Sequence, residues 1–225
     1  MQNNGKTTKL ALRREDRILF IGDSVTDARR DRENRQPSKP MAMGEGYAIA
    51  VAAELACKFP DMGFSFYNRG INGNKLFHLE NRWQADCLDL KPTVISLLIG
   101  INDYALAYRE DKKGDPEQFD KEYRALLKRT LEALPHVRLI LGEPFCFAGA
   151  REKIDQFIPD FYQYQPVVRK IAEDFDAAFI PYQGIYDKAM KGAPDRYYSS
   201  DGVHPALPGI HLMARAWMGQ VEVRA

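Results

Sequence analysis

Ser24, Gly73, Asn102, Asp201 and His204 are the residues of this 225-residue chain whose types and spacing suit attack on a carbonyl carbon. Such chemistry needs a nucleophile, a base for its proton, a group that orients the base, and donors for the charge that builds on the carbonyl oxygen. Ser24 follows the apolar run Leu19-Phe20-Ile21 and then Gly22-Asp23, so its hydroxyl leaves a strand end at a turn. The N–H groups around it face the same space, at the start of whatever helical turn follows. Gly73 offers a backbone N–H with no side chain in the way, and Asn102 a side-chain amide with two N–H donors. His204 lies in Asp201-Gly202-Val203-His204-Pro205. A separation of three residues in a turn lets the Asp201 carboxylate reach Nδ1 of His204, which leaves Nε2 to accept a serine proton.

Each of these residues has a plainer role when taken alone. Ser24 suits a helix N-cap, as do Asn102 and Asp103. Gly73 suits an ordinary turn, and His204 a surface histidine bonded to Asp201. Asp23 and Asp103 read as acceptors of backbone hydrogen bonds that line or support the site rather than as reacting groups. A metal held by Asp23, Asp27, Asp103 and His204 has no ligand spacing behind it. His78, His136 and His211 suggest no role, and Trp83 and Tyr67 read as core or groove wall.

The elements that must position these residues alternate along the chain. Asp16–Ile21 reads as a buried strand ended by Gly22. Asp27–Met43 reads as a long loop of the kind that often carries function, its Arg29–Arg35 run of mixed charge as solvated, with a place at the site entrance as the alternative because it follows Ser24 so closely. Gly46–Lys58 has a helical pattern ended by Pro60 and Gly63. Phe64–Tyr67 is a second strand, running into the glycine-punctuated Asn68–Gly73. A helix over Leu76–Asp89 and a strand over Thr93–Ile99 follow, the strand ending at Gly100-Ile101-Asn102-Asp103. A polar stretch then runs to Pro116. Beyond it come a helix over Glu117–Leu134, a strand over Val137–Leu141, a helix over Pro159–Phe175 and a strand over Ala177–Ile180. The loop Arg196–Pro205 leads into a last helix over Pro208–Val221. Five strands alternating with helices predict a parallel sheet covered on both faces. Ligands of such sheets bind beyond the carboxyl ends of the strands, near the point where the strand order reverses. The first three strands end in Gly22-Asp23-Ser24, Asn68–Gly73 and Gly100–Asp103.

Bulk properties narrow the function classes. Net charge is +1, with 45% hydrophobic and 28% charged residues, so no global field points to nucleic acid or an anionic membrane. The first 15 residues are polar and basic without an apolar core, which predicts an N-terminal extension, no signal peptide and a cytoplasmic protein. No run approaches the length of a membrane span. Cys57, Cys87 and Cys146 are widely spaced without a CxxC pair, so neither a disulfide framework nor a zinc site is expected. We expect one domain over residues 1–225 with no metal and no cofactor.

In order, Gly22-Asp23-Ser24-Val25-Thr26-Asp27, Asn68-Arg69-Gly70-Ile71-Asn72-Gly73, Gly100-Ile101-Asn102-Asp103 and Asp201-Gly202-Val203-His204-Pro205 resemble the four sequence blocks of the SGNH, or GDSL-type, hydrolases. The resemblance implies a three-layer α/β/α flavodoxin-like fold with a five-stranded parallel sheet in the order 2-1-3-4-5. It implies Ser24 as nucleophile, His204 as base, Asp201 as its orienting group, and an oxyanion hole of the Ser24 N–H, the Gly73 N–H and Asn102. There is no GxSxG elbow. The finer resemblance is to bacterial carbohydrate acetylesterases, acetyl xylan esterases among them, in "LFIGDSVTD", "NRGINGNKLFHLENRW" and "LLIGINDYA". It implies a small acylated substrate, an acetylated sugar such as an acetylated xylo-oligosaccharide, and assembly as a homo-oligomer. The chain departs from that pattern in Ala28–Met43 and in Ser199-Ser200, where some relatives carry an aromatic. A thioesterase or lysophospholipase would need an apolar groove for a long acyl chain. The loops here are polar, which favours a short acyl group. A non-catalytic carbohydrate-binding protein on the same fold predicts a broken triad, and all three residue types are present. A flavodoxin-like FMN binder needs a phosphate loop where this chain places Asp23 and Asp27, whose charges repel phosphate.

Overall fold

A computed structural model of the chain describes residues 9–109, 114–194 and 196–224. Five strands, β1 (Arg17–Gly22), β2 (Ser65–Asn68), β3 (Val94–Leu98), β4 (Arg138–Gly142) and β5 (Ala178–Ile180), form one sheet in the order β2-β1-β3-β4-β5. Every pairing is parallel, with Phe20 opposite Asn68 and Ser96, and Leu98 opposite Gly22 and Gly142. This is the expected order, and the order of the strands reverses between β1 and β3.

β1 and β3 read as nearly continuous apolar runs, Ser96 being the polar exception in β3, because both faces of the sheet are covered. Leu19, Ile21, Ile95, Leu97, Leu139 and Leu141 point to one side. There they meet α4 (Leu76–Asp86), α6 (Pro116–Ala133) and α8 (Tyr164–Asp174). Ile18, Phe20, Val94, Leu98 and Ile140 point to the other, against α3 (Tyr47–Lys58), α9 (Tyr182–Met190) and α10 (Leu207–Gly219). Each layer also buries a tryptophan whose N–H has a partner, as burial of that group requires. Trp83 donates to Thr130 Oγ1 at 2.9 Å and Trp217 to Ser96 Oγ at 3.0 Å. The remaining helices are α1 (Ser24–Asp27), α2 (Pro40–Met43), α5 (Ile101–Arg109) and α7 (Glu152–Phe161).

The structure departs from the sequence reading in five places. Leu10–Leu12, inside the expected extension, is a strand paired in parallel with Val221–Val223; residues 1–8 lie outside the described residues. The stretch after Gly100 begins with α5 rather than a polar loop, and residues 110–113 of it lie outside the described residues. The helix expected over Pro159–Phe175 is two helices, α7 and α8, broken at Tyr162-Gln163, and α9 was not anticipated. Two short helices, α1 and α2, occupy the ends of the Asp27–Met43 loop region.

Candidate active site

Ser24 stands at the carboxyl end of β1, beside the reversal of strand order. Gly22 is required there by close approach: a Cβ on it would lie 2.0 Å from the Leu98 carbonyl oxygen and 2.9 Å from Thr26 Oγ1. Asp23 caps the single turn α1, its Oδ1 accepting the Val25 N–H at 3.0 Å. Burial pushes the Asp23 carboxyl up to about 7, with the nearby Asp103 charge adding to the rise and the Val25 hydrogen bond opposing it. Val25, Thr26 and Asp27 are buried, and Ser24 alone of α1 is partly open.

The turn that follows α1 is left-handed at two non-glycine residues, Ala28 (φ 43°) and Arg29 (φ 60°). Such backbone persists where its surroundings over-determine it, and here three glycines do so. A Cβ on Gly70 would lie 2.2 Å from the Asp27 nitrogen, one on Gly44 2.6 Å from the Asp27 carbonyl oxygen, and one on Gly46 2.6 Å from Ala28 Cβ. The buried Asn68 amide holds the same segment, donating to the carbonyls of Thr26 (2.6 Å) and Met43 (2.8 Å) while accepting the Gly70 N–H (2.8 Å).

His204 and Asp201 come from the loop before α10. His204 Nε2 is 2.8 Å from Ser24 Oγ, and Nδ1 is 2.7 Å from Asp201 Oδ2. The other carboxylate oxygen, Oδ1, accepts the N–H groups of Val203 (2.9 Å) and His204 (2.8 Å) and the Ser199 hydroxyl (3.2 Å). Ser199 Oγ in turn accepts the Gly202 N–H at 3.0 Å. Partial burial of Asp201 works against its ionisation. The hydrogen bonds from the His204 backbone and imidazole and from Val203 outweigh it and bring the carboxyl down to about 2. Ser24, His204 and Asp201 therefore form one hydrogen-bonded line, in which a neutral imidazole can take a proton from the hydroxyl beside an ionised carboxylate.

Gly73 sits at the tip of a turn closed by the Asn74 N–H on the Ile71 carbonyl (3.2 Å), with φ 77° and nothing within 4 Å of the Cβ it lacks. Asn102, in the first turn of α5, donates through Nδ2 to the Asn74 carbonyl at 3.1 Å. Asp103 beside it accepts the Leu76 N–H at 3.0 Å, and burial raises its carboxyl to about 6 against the pull of that hydrogen bond. Neither the Ser24 N–H nor the Gly73 N–H has an acceptor among the described residues.

A cleft of about 840 Å³ opens over Ser24 and His204. Asn72 is on its wall; Gly73 and Asn102 lie outside the wall, joined to it through the Asn72–Asn74 turn. Arg29, Arg30 and Arg32 also line it, and the Arg29–Arg35 run is exposed as expected except at Arg30, which is buried, and Asn34, which is half-buried. Arg30 is buried, with Nε on the Gly70 carbonyl at 2.9 Å. Arg32 pairs with Asp27, which also accepts the Asn72 N–H at 2.8 Å, and Arg29 pairs with Glu45 at 3.3 Å, both of their side chains exposed. Among residues the sequence reading did not single out, Asn68 carried a signal as the last residue of β2. Arg82 carried none, standing in α4 like any surface arginine.

Trp83 is core, Tyr67 is half-buried, and His78, His136 and His211 are exposed. No cluster of three or more His, Cys, Asp or Glu suited to a metal occurs among the described residues, and none of their helices is long and apolar enough to cross a membrane.

The profile of the GDSL-like lipase/acylhydrolase family matches residues 20–210. An acetylxylan esterase of Geobacillus stearothermophilus is 33% identical over 211 residues, covering 92% of this chain and 94% of that one. A GDSL-like lipase from Parabacteroides merdae superposes with a TM-score of 0.90 at 42% identity, covering 95% of this chain and 98% of its own. Solved forms of the Geobacillus esterase include two described as catalytic mutants, one with a histidine and one with a serine replaced by alanine. Both superpose at a TM-score of 0.82, with 31% and 32% identity, over 93% and 95% of this chain and 95% and 99% of theirs.

Proposed function

This chain belongs to the GDSL-like lipase/acylhydrolase family and is a carboxylic ester hydrolase, and from that premise we propose that it removes acetyl groups from acetylated carbohydrates, such as xylo-oligosaccharides, through an acyl-enzyme on Ser24. The observation that carries the reading is the line from Ser24 Oγ through His204 to Asp201, at 2.8 and 2.7 Å. Ser24 Oγ bonds to the ester carbonyl carbon as its proton passes to Nε2 of His204. The carbonyl oxygen takes the electron pair and is met by the free N–H groups of Ser24 and Gly73 and by the second N–H of the Asn102 amide. The bond to the sugar oxygen then breaks, and His204 returns the proton to that oxygen. Water adds to the acyl-enzyme by the same route, acetate leaves, and Ser24 regains its proton. Asp201 stays ionised throughout, holding the imidazole in the tautomer with a free Nε2 and stabilising its protonated form.

The substrate class rests on two supports. The cleft wall carries Arg29, Arg32, Asp31, Glu45 and Asn72, groups that suit a hydroxyl-rich alcohol better than a long acyl chain. The relatives at 31–33% identity are described as acetylxylan esterases. The test is acetate release from acetylated xylo-oligosaccharides, acetylated monosaccharides and cephalosporin C, with p-nitrophenyl esters of increasing chain length alongside. Release from the oligosaccharides with a preference for acetyl is expected. A preference for octanoyl over acetyl would replace this reading with a lysophospholipase or thioesterase.

A further inference from the structure

Beyond its chain neighbours nothing lies within 4 Å of the Cβ that Gly73 lacks, so no side chain packs against that side of the turn. Polar ties must therefore set where its N–H points. Asn74 is their hub: its N–H closes the turn on Ile71, its carbonyl accepts from Asn102, and its side-chain Oδ1 accepts from Arg82 Nε at 2.8 Å. The same guanidinium reaches the Arg69 carbonyl at the end of β2 (2.7 Å) through Nη1 and the Gly22 carbonyl at the end of β1 (3.2 Å) through Nη2. Gly22 also accepts the Ile71 N–H at 3.1 Å. One side chain thus spans the backbone two residues before Ser24 and the residue directly after Gly73.

We propose that Arg82 is a positioning residue for the oxyanion donors, fixing the Gly73 and Asn102 donors relative to Ser24 by bridging Gly22 and Asn74. This rests on the assignment of those donors in the proposed function. A guanidinium drawn largely out of water needs a counter-charge, and Asp86, one helical turn on, supplies it to the partly buried Arg82 at 2.8 Å. Its second oxygen pairs with Arg35 at 2.6 Å, so the loop after Ser24 is tied into the same clamp. The planar fork suits three acceptors in different directions; a lysine ammonium could keep the charge pair with Asp86 but could not span Asn74, Arg69 and Gly22 together.

The experiment compares Arg82→Lys, Asn74→Ala, the double variant and Asn102→Ala, with melting temperature, kcat and KM measured on p-nitrophenyl acetate. Each of the first two is expected to lower kcat about ten- to a hundredfold with KM within about twofold of the parent, the signature of displaced transition-state donors. The double variant is expected to lose no more than the worse single, because both break one tie. A role confined to stability would lower the melting temperature and leave kcat of the folded protein unchanged, which overturns the proposal, as do multiplicative losses in the double variant. Should Arg82→Lys not fold, Asn74→Ala decides alone, and parental kcat there overturns the proposal. Parental kcat in Asn102→Ala would instead strike at the donor assignment itself.

Discussion

Asp201→Asn replaces one oxygen by an NH₂ group and, in this geometry, inverts the imidazole. Oδ1 accepts two backbone N–H groups, from Val203 and His204, at 2.9 and 2.8 Å. An amide turned with its NH₂ toward them would set donor against donor, at a cost of about 1–3 kcal/mol for each unsatisfied group. The amide oxygen therefore stays in the Oδ1 position, and the NH₂ faces His204 Nδ1, which is 2.7 Å from Oδ2 in the parent. Nδ1 must then accept, so the ring proton moves to Nε2 and points at Ser24 Oγ, 2.8 Å away. A nitrogen already carrying a proton cannot take another from serine. The expected result is a fall in kcat of about 10⁴ with little change in KM, the size of loss seen when a triad histidine is held in the wrong tautomer. The assay is steady-state hydrolysis of p-nitrophenyl acetate near neutral pH beside a thermal melt. Asp201→Ala leaves Nδ1 to water and the tautomers free, so it should turn over faster than the Asn variant. It should also melt lower, having lost the acceptor for Val203 and His204. An Asn variant that melts like the parent and turns over within about tenfold of it would refute the reasoning.

Asn102→Ala should cost about a hundred- to a thousandfold, chiefly in kcat; a change confined to KM would make it a binding residue. Gly70→Ala would place a methyl 2.2 Å from the Asp27 nitrogen, forcing the end of β2 away from α1. A stability loss of at least about 1–3 kcal/mol is expected from denaturant unfolding, and an unchanged midpoint would show that the two segments are free to part. Asp23, at about 7 when folded against an ordinary value of 3.8, holds a proton in the native state that the unfolded chain has lost between those two pH values. Stability therefore falls as pH rises from about 4 to about 7, by about 4 kcal/mol at most. Asp23→Asn keeps an acceptor for the Val25 N–H without the charge. It should melt above the parent at pH 8 and show no such gain at pH 4; equal differences at both would dismiss the buried-carboxyl account.

What the sequence disclosed was whatever local spacing encodes. The Asp201–His204 turn needs only three residues to bring a carboxylate to an imidazole, and Gly22-Asp23-Ser24 marks a strand end by composition. The three central strands β1, β3 and β4 were legible because burial on both faces makes them nearly continuous apolar runs, and the edge strands β2 and β5 because short aromatic or aliphatic runs precede a turn. What stayed hidden depends on residues distant in the chain. Leu10–Leu12 is too short to read as a strand without Val221–Val223, its partner at the other end of the chain. α5 begins directly after Gly100 with polar residues that look like loop, since Asn102 and Asp103 spend their side chains on the Asn74 carbonyl and the Leu76 N–H. Arg30 and Arg82 look like surface arginines because nothing nearby in sequence announces the backbone carbonyls of Gly70, Arg69 and Gly22 that receive them.

The central claim is that Ser24 takes the acyl group. Covalent labelling by a fluorophosphonate, located by peptide mass spectrometry in the parent and in Ser24→Ala, tests it most directly. The account predicts a label on Ser24 that abolishes turnover, and no label on the alanine variant, whose kcat falls on the order of a million-fold. An active parent that takes no label, or one inactivated by a label on another residue, would contradict it.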